Sequence, residues 1–139
     1  MKRSELNNQK MNPNFIGSWE MEHSICDKII AYFEKNQNKQ IQGLTSTGIN
    51  LERKDRRDIT LSPKELSIPE NDIYKIYFQN LFEFYKDYNL QWPILKTIVD
   101  HLDIGSFNTG KYLPGQHFQK IHCERASIST LHRLFAFMT

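Results

Sequence analysis

Between Ile73 and Tyr85 the apolar residues fall in two adjoining rows at helical spacing: Ile73, Tyr77, Leu81 and Tyr85 in one, Tyr74, Phe78 and Phe82 in the next. Residues four apart share a face of an α-helix, so the stretch predicts a helix with a broad aromatic face. That face is too wide for a lightly buried surface helix and requires a sheet to pack against. An aromatic stripe at this spacing reads as core rather than as a ligand box. Ser67-Ile-Pro-Glu70 predicts the helix start, with Pro69 near the first turn, where its missing N–H costs nothing. Trp92-Pro93 interrupts the pattern, and residues 94–102 read as a further short helix.

The rest of the chain supplies the other elements. Ser24 followed by Asp27 resembles a capping arrangement, after which Ile25, Ile29, Tyr32 and Phe33 give one apolar stripe that lapses by Asn36. Residues 43–58 hold two glycines and the run Leu51-Glu-Arg-Lys-Asp-Arg-Arg-Asp58, whose opposed charges nearly cancel and read as a solvated loop. Asp58 to Ser62 alternates and predicts a short strand before Pro63. From Ile104 onward, residues 106–112, 117–124 and 131–139 read as extended segments separated by Leu113-Pro-Gly and by Arg125 to Thr130. Helices first and strands afterwards give an α+β class, helices buttressing an antiparallel sheet. Residues 1–14 are a polar lead-in, and 15–139 form a single domain.

Composition narrows the function classes. Lys and Arg total 18 against 16 Asp and Glu, a net charge of +2, which excludes a nucleic-acid binder acting by bulk charge. No apolar run approaches the roughly 18 residues of a membrane helix, and no apolar stretch follows the N-terminal charges as in a secretory signal. Cys26 and Cys123 are far apart in the sequence, so a disulfide scaffold is not expected and a cytoplasmic location is.

The chemistry concentrates in Tyr112-Leu-Pro-Gly-Gln-His-Phe-Gln-Lys-Ile-His-Cys-Glu-Arg125. On a strand over 117–124, His122 and Glu124 project from one face, where an imidazole and a carboxylate both reach one metal ion. Two such ligands and a second His make the facial triad of non-haem Fe(II) oxygenases. A His-x-Glu triplet is common by chance, and a His beside an acid is more often a hydrogen-bonded structural pair.

The surrounding residues resemble the Fe(II)- and 2-oxoglutarate-dependent dioxygenases, most closely the prolyl 4-hydroxylase-like branch. In that family a Tyr-Pro-Gly-like turn ends a strand and the metal-binding His-x-Asp/Glu follows ten residues after the Tyr, as His122 follows Tyr112 here. Arg133-Leu-Phe-Ala-Phe-Met-Thr139 looks like the start of the family's next strand, residues 24–33 like its first helix, and residues 50–63 like the Lys- and Asp-containing stretch after it. The resemblance implies a double-stranded β-helix (jelly-roll) barrel, of which this chain carries the first strands and flanking helices.

Residue by residue, the resemblance makes His122 and Glu124 two of three iron ligands. It aims the Tyr112 hydroxyl at a carboxylate of 2-oxoglutarate, with Asn108 on the same strand face and Met138 lining the cosubstrate pocket. His132 is a reserve ligand, His117 and Cys123 face away, and Lys111 and Lys120 are solvent-exposed stems. Glu124 stands where Asp is commoner. The family's distal His, and the Arg or Lys that pairs with 2-oxoglutarate, fall beyond Thr139, so the expectation is the N-terminal part of a hydroxylase that is inactive by itself and self-associates through an open strand edge. The cofactors implied are Fe(II), 2-oxoglutarate and O2, with ascorbate as an accessory. The substrate implied is a prolyl or other protein side chain, or a small molecule. Two other readings stay open: a non-catalytic interaction domain on a remnant of the fold, and an unrelated metal-binding or structural α+β domain.

Overall fold

The computed structural model describes residues 2–4, 15–98, 101–119, 121–125 and 127–139. In chain order they form β1 (Lys2–Arg3), β2 (Trp19–Glu20), α1 (His23–Lys35), β3 (Ile41–Gln42), β4 (Leu44–Thr45), β5 (Gly48–Ile49), β6 (Arg57–Leu61), α2 (Asp72–Gln91), α3 (Leu95–Ile98) and β7 (Phe107–Lys111). Among the described residues the sheets are an antiparallel β1–β2 pair, an antiparallel β4–β5 pair and a three-stranded sheet in the order β3-β6-β7. The mixed α and β character matches the sequence. Among the described residues no sheet closes into a barrel.

The chain divides into two compact units, Met1–Gln40 with Ile59–Thr109, and Ile41–Asp58 with Gly110–Thr139. The first holds the core. Ile25, Tyr32 and Phe33 of α1, Ile59 and Leu61 of β6, and Tyr74, Tyr77 and Phe78 of α2 are buried together, as the stripes of both helices predict. Phe78 meets Phe107 of β7 edge-on at 4.7 Å and Tyr77 at 5.4 Å, so the broad face of α2 does cover strand residues. Tyr74 packs against Tyr32 and Phe107, and its hydroxyl shares a 2.8 Å hydrogen bond with Thr109. Burial pushes that hydroxyl up to about 12, so it stays protonated.

The second aromatic row departs from expectation at its far end. Phe82 is 54% exposed, and the C-terminal half of α2 instead buries Phe84 and Tyr88. The cause is Trp19, whose ring stacks on Phe84 at 5.6 Å and meets Tyr88 edge-on at 6.2 Å while its indole N–H donates to Asp87 at 2.8 Å. Trp19 sits on β2, paired with Lys2 and Arg3, so part of the polar lead-in is an ordered strand. Residues 5–14 lie outside the described residues.

The helix starts also differ. α1 begins at His23 with Glu22 at its cap, so Ser24 lies inside the first turn. α2 is preceded by two 3-10 turns, Pro63–Ser67 and Pro69–Asn71. The capping box belongs to Ser62 and Glu65, where the Ser62 amide donates to Glu65 Oε2 at 2.7 Å. That hydrogen bond holds the Glu65 carboxyl below its ordinary 4.5. A folded-state pKa below the unfolded one stabilises above the unfolded value and is lost as pH falls through the folded value. In an acid titration followed by NMR, the Ser62 amide shift should therefore move with a midpoint below 4.5, and Glu65→Gln should abolish the movement. A Ser62 shift flat with pH would show that the box is not formed.

Candidate functional site

The second unit carries His122, Glu124, Tyr112 and Met138, the residues singled out by sequence apart from Asn108. β7 ends at Lys111, and Leu113-Pro114-Gly115-Gln116 closes a turn in which the Gln116 amide donates to the Leu113 carbonyl at 2.9 Å. Gly115 has φ +88°, the conformation a type II turn demands of its third residue, with Pro114 supplying the second. The returning segment pairs antiparallel with residues 53–55. The Asp55 amide donates to the His117 carbonyl at 2.8 Å, His117 donates back at 3.2 Å, and Gln119 donates to Arg53 at 3.0 Å.

The pairing then stops. The strand expected over 117–124 amounts to a single bridge at Phe118, and 121–125 is irregular with a turn at Glu124. The segment expected as a strand over 131–139 is a turn followed by irregular chain. A strand exists only where a neighbour takes its backbone hydrogen bonds; residues 53–55 do so as far as Gln119, and among the described residues no strand pairs with 121–125 or 131–139.

His122 and Glu124 nevertheless meet, because the turn does what strand alternation was expected to do. Imidazole Nε2 and Glu124 Oε1 are 3.1 Å apart, both side chains being about half exposed. Glu124 Oε2 accepts from the Arg133 guanidinium at 3.1 Å, and the Phe118 ring lies 4.7 Å from the imidazole. Two cis ligands, each about 2.1 Å from a first-row metal ion, are separated by roughly 3 Å, so this donor pair fits two neighbouring positions of an Fe(II) site. Among the described residues no third His, Cys, Asp or Glu joins them.

The other expected residues part company. The Tyr112 hydroxyl accepts a 3.0 Å hydrogen bond from the Arg56 guanidinium, whose carbon lies 5.4 Å from the ring centre. Asn108, in the first unit, accepts from the Thr60 hydroxyl at 2.7 Å. Met138 is 97% exposed and lines no enclosed surface among the described residues, because the strand that was to carry it inward is not formed. His132 and Cys123 are exposed too, and Cys123 Sγ accepts from the Arg125 amide at 3.4 Å. The His117 side chain has a buried Nδ1 with no hydrogen-bond partner among the described residues. Lys111 is exposed as expected, and Lys120 lies outside the described residues.

The largest correction concerns the charged run. Lys54 and Asp58 are buried, and Arg56 is 19% exposed at its side chain. Lys54 Nζ contacts Asp58 Oδ2 at 3.2 Å and donates to the Leu44 carbonyl at 3.0 Å; Arg56 Nε lies 2.6 Å from Asp58 Oδ1. Asp55, of opposite parity, takes the side-chain amides of Gln42 and Gln116. The period-two spacing of 54, 56 and 58 is the signal that a strand face collects these charges, and the near-cancellation of charge along the run hid it.

No family model, curated protein or solved structure matches this chain. Among the described residues no helix is long and apolar enough to cross a membrane.

Proposed function

We propose that the chain carries part of an Fe(II)- and 2-oxoglutarate-dependent dioxygenase that hydroxylates a prolyl or other protein side chain, on the early portion of a jelly-roll domain. The observation that supports the reading is the convergence of His122 Nε2 and Glu124 Oε1 at 3.1 Å, next to the turn Leu113–Gln116 that the resemblance requires ahead of them. Bound iron would supply the activation of O2 that the side chains themselves lack.

The residues of this chain have simpler tasks. His122 offers a neutral imidazole nitrogen and Glu124 a carboxylate oxygen, a mixed set suited to a divalent first-row ion. Arg133 holds the second oxygen of Glu124 and so fixes which way the carboxylate faces. Tyr112 presents a hydroxyl from the far side of the Pro114-Gly115 turn.

Titration with Co(II), read by its d–d absorption, tests the metal assignment. Binding with only two protein ligands should be weak, and His122→Ala or Glu124→Ala should weaken it by at least about tenfold while Glu124→Asp retains it. Equal binding by the His122→Ala chain would overturn the assignment. Succinate release from 2-oxoglutarate, measured on a chain that includes the distal ligand, then tests the reaction itself.

A further inference from the structure

The net charge of +2 conceals an uneven distribution. The second unit, Ile41–Asp58 with Gly110–Thr139, has eight Lys and Arg against four Asp and Glu, a charge of +4; the first has ten against twelve, a charge of −2. Within the second unit Lys54, Arg56, Asp55 and Asp58 are buried or half-buried and sum to zero, so the +4 belongs to the rest of it. Glu124 is held between Arg133 and His122. Arg53, Arg57 and Arg125 are exposed and make no ion pair among the described residues.

The apolar side chains of the same unit add a second property. Among its described residues Gly43, Lys54 and Asp58 are the buried ones, so its interior holds no large apolar side chain. Ile49, Leu113 and Leu131 are more than half exposed, and Ile121 and Ile128 more than nine-tenths. Single apolar residues on a surface need no explanation, but a unit that turns all of them outward offers apolar area to a partner.

We propose that the second unit binds an acidic segment of another polypeptide, one in which Asp or Glu are interspersed with apolar residues. Opposite charge selects the partner, exposed guanidinium forks match its carboxylates, and the outward aliphatic side chains take its apolar residues. Nucleic acid fits less well. The rings beside the cations, Tyr112 and Phe118, already carry Arg56 and Lys54 at 5.4 and 5.7 Å from their centres, and aliphatic side chains give bases nothing to stack on. A membrane surface is held by amphipathic helices, and the described residues of this unit form no helix longer than the 3-10 turn Ile128–Thr130. A second copy of the same face would set +4 against +4. This inference goes beyond the function proposed above and does not rest on it.

The test is a fluorescence-anisotropy titration of the full 139-residue chain into a labelled peptide repeating Glu-Leu-Ser. The buffer contains EDTA, so that no ion bridges the peptide to His122 and Glu124. Peptides repeating Lys-Leu-Ser and Glu-Ser-Ser, an oligothymidylate and phosphatidylserine vesicles are run beside it. Saturable binding of the Glu-Leu-Ser peptide, weakening as chloride rises, is expected. The Lys-Leu-Ser peptide should bind at least about tenfold more weakly and the Glu-Ser-Ser peptide several-fold more weakly. Arg53→Glu combined with Arg57→Glu should weaken binding about tenfold or more, and Ile121→Ser combined with Ile128→Ser several-fold. Should charge reversal unfold the chain, Arg53→Gln with Arg57→Gln, checked by circular dichroism, removes the same charges without adding new ones. Absence of saturable binding, undiminished binding by the arginine variants, oligothymidylate or vesicles bound as tightly as the Glu-Leu-Ser peptide, or a dimer that takes no peptide would each overturn the proposal.

Discussion

Replacing Asp58 with alanine should destabilise the protein by about 3–5 kcal/mol, the range for breaking a buried ion pair by deleting one partner. The carboxylate is 3% exposed and touches two cations, Lys54 at 3.2 Å and Arg56 at 2.6 Å. Without it Lys54 keeps its charge in a buried position, where the Leu44 carbonyl is the acceptor left to it among the described residues. The size of the loss comes from that stranded cation more than from the missing attraction. Asp58→Asn should therefore fare little better, whereas Lys54→Met combined with Asp58→Leu should recover part of the loss. Urea unfolding by circular dichroism measures the total, and amide exchange at Asp55, paired with His117, reads the second unit directly. A loss under about 1 kcal/mol would mean that water screens the cluster.

Phe78→Ala should cost about 3–5 kcal/mol in the first unit, and Phe82→Ala, one turn further along the same helix, no more than about 1 kcal/mol. Phe78 is 6% exposed and fills the space between α2 and Phe107, so truncation leaves a cavity with rigid aromatic walls. Phe82 lies outside the core beneath the Lys86 ammonium, 4.9 Å from its ring. Both tryptophans, Trp19 and Trp92, belong to the first unit, so their fluorescence during urea unfolding follows that unit and not the one holding the charge cluster. Equal losses in the two variants would show that the helix is rotated from the face described.

That comparison marks where periodicity stops being informative. Rows at spacing four correctly found Tyr74, Tyr77 and Phe78, because the sheet residues that cover them lie along one line of the helix. They failed at Phe82 because the burial of Phe84 and Tyr88 depends on Trp19, far earlier in the chain, and no local pattern carries that contact. The same holds for the charged run. Its net charge says nothing about Lys54 and Asp58, whose burial is decided by the hairpin and by Gly110 far along the chain. The turn at Pro114-Gly115 was legible because a glycine after a proline is sufficient by itself. The pairing of His122 with Glu124 was foreseen from strand alternation and is reached through a turn instead, so the right neighbours followed from an element that is not there.

β6 buries adjacent residues of opposite chemistry, Asp58 and Ile59, and adjacent residues of a strand face opposite ways. An added or deleted residue anywhere between Lys54 and Leu61 would exchange the two, delivering a carboxylate to the aromatic core and an isoleucine to the cations. This stretch of the chain should therefore tolerate almost no change in length, while Ser46 and Thr47, exposed at the tip of the β4–β5 hairpin, should absorb insertions freely. In a library of single-residue insertions selected for soluble expression, survivors should crowd at that tip and vanish along β6.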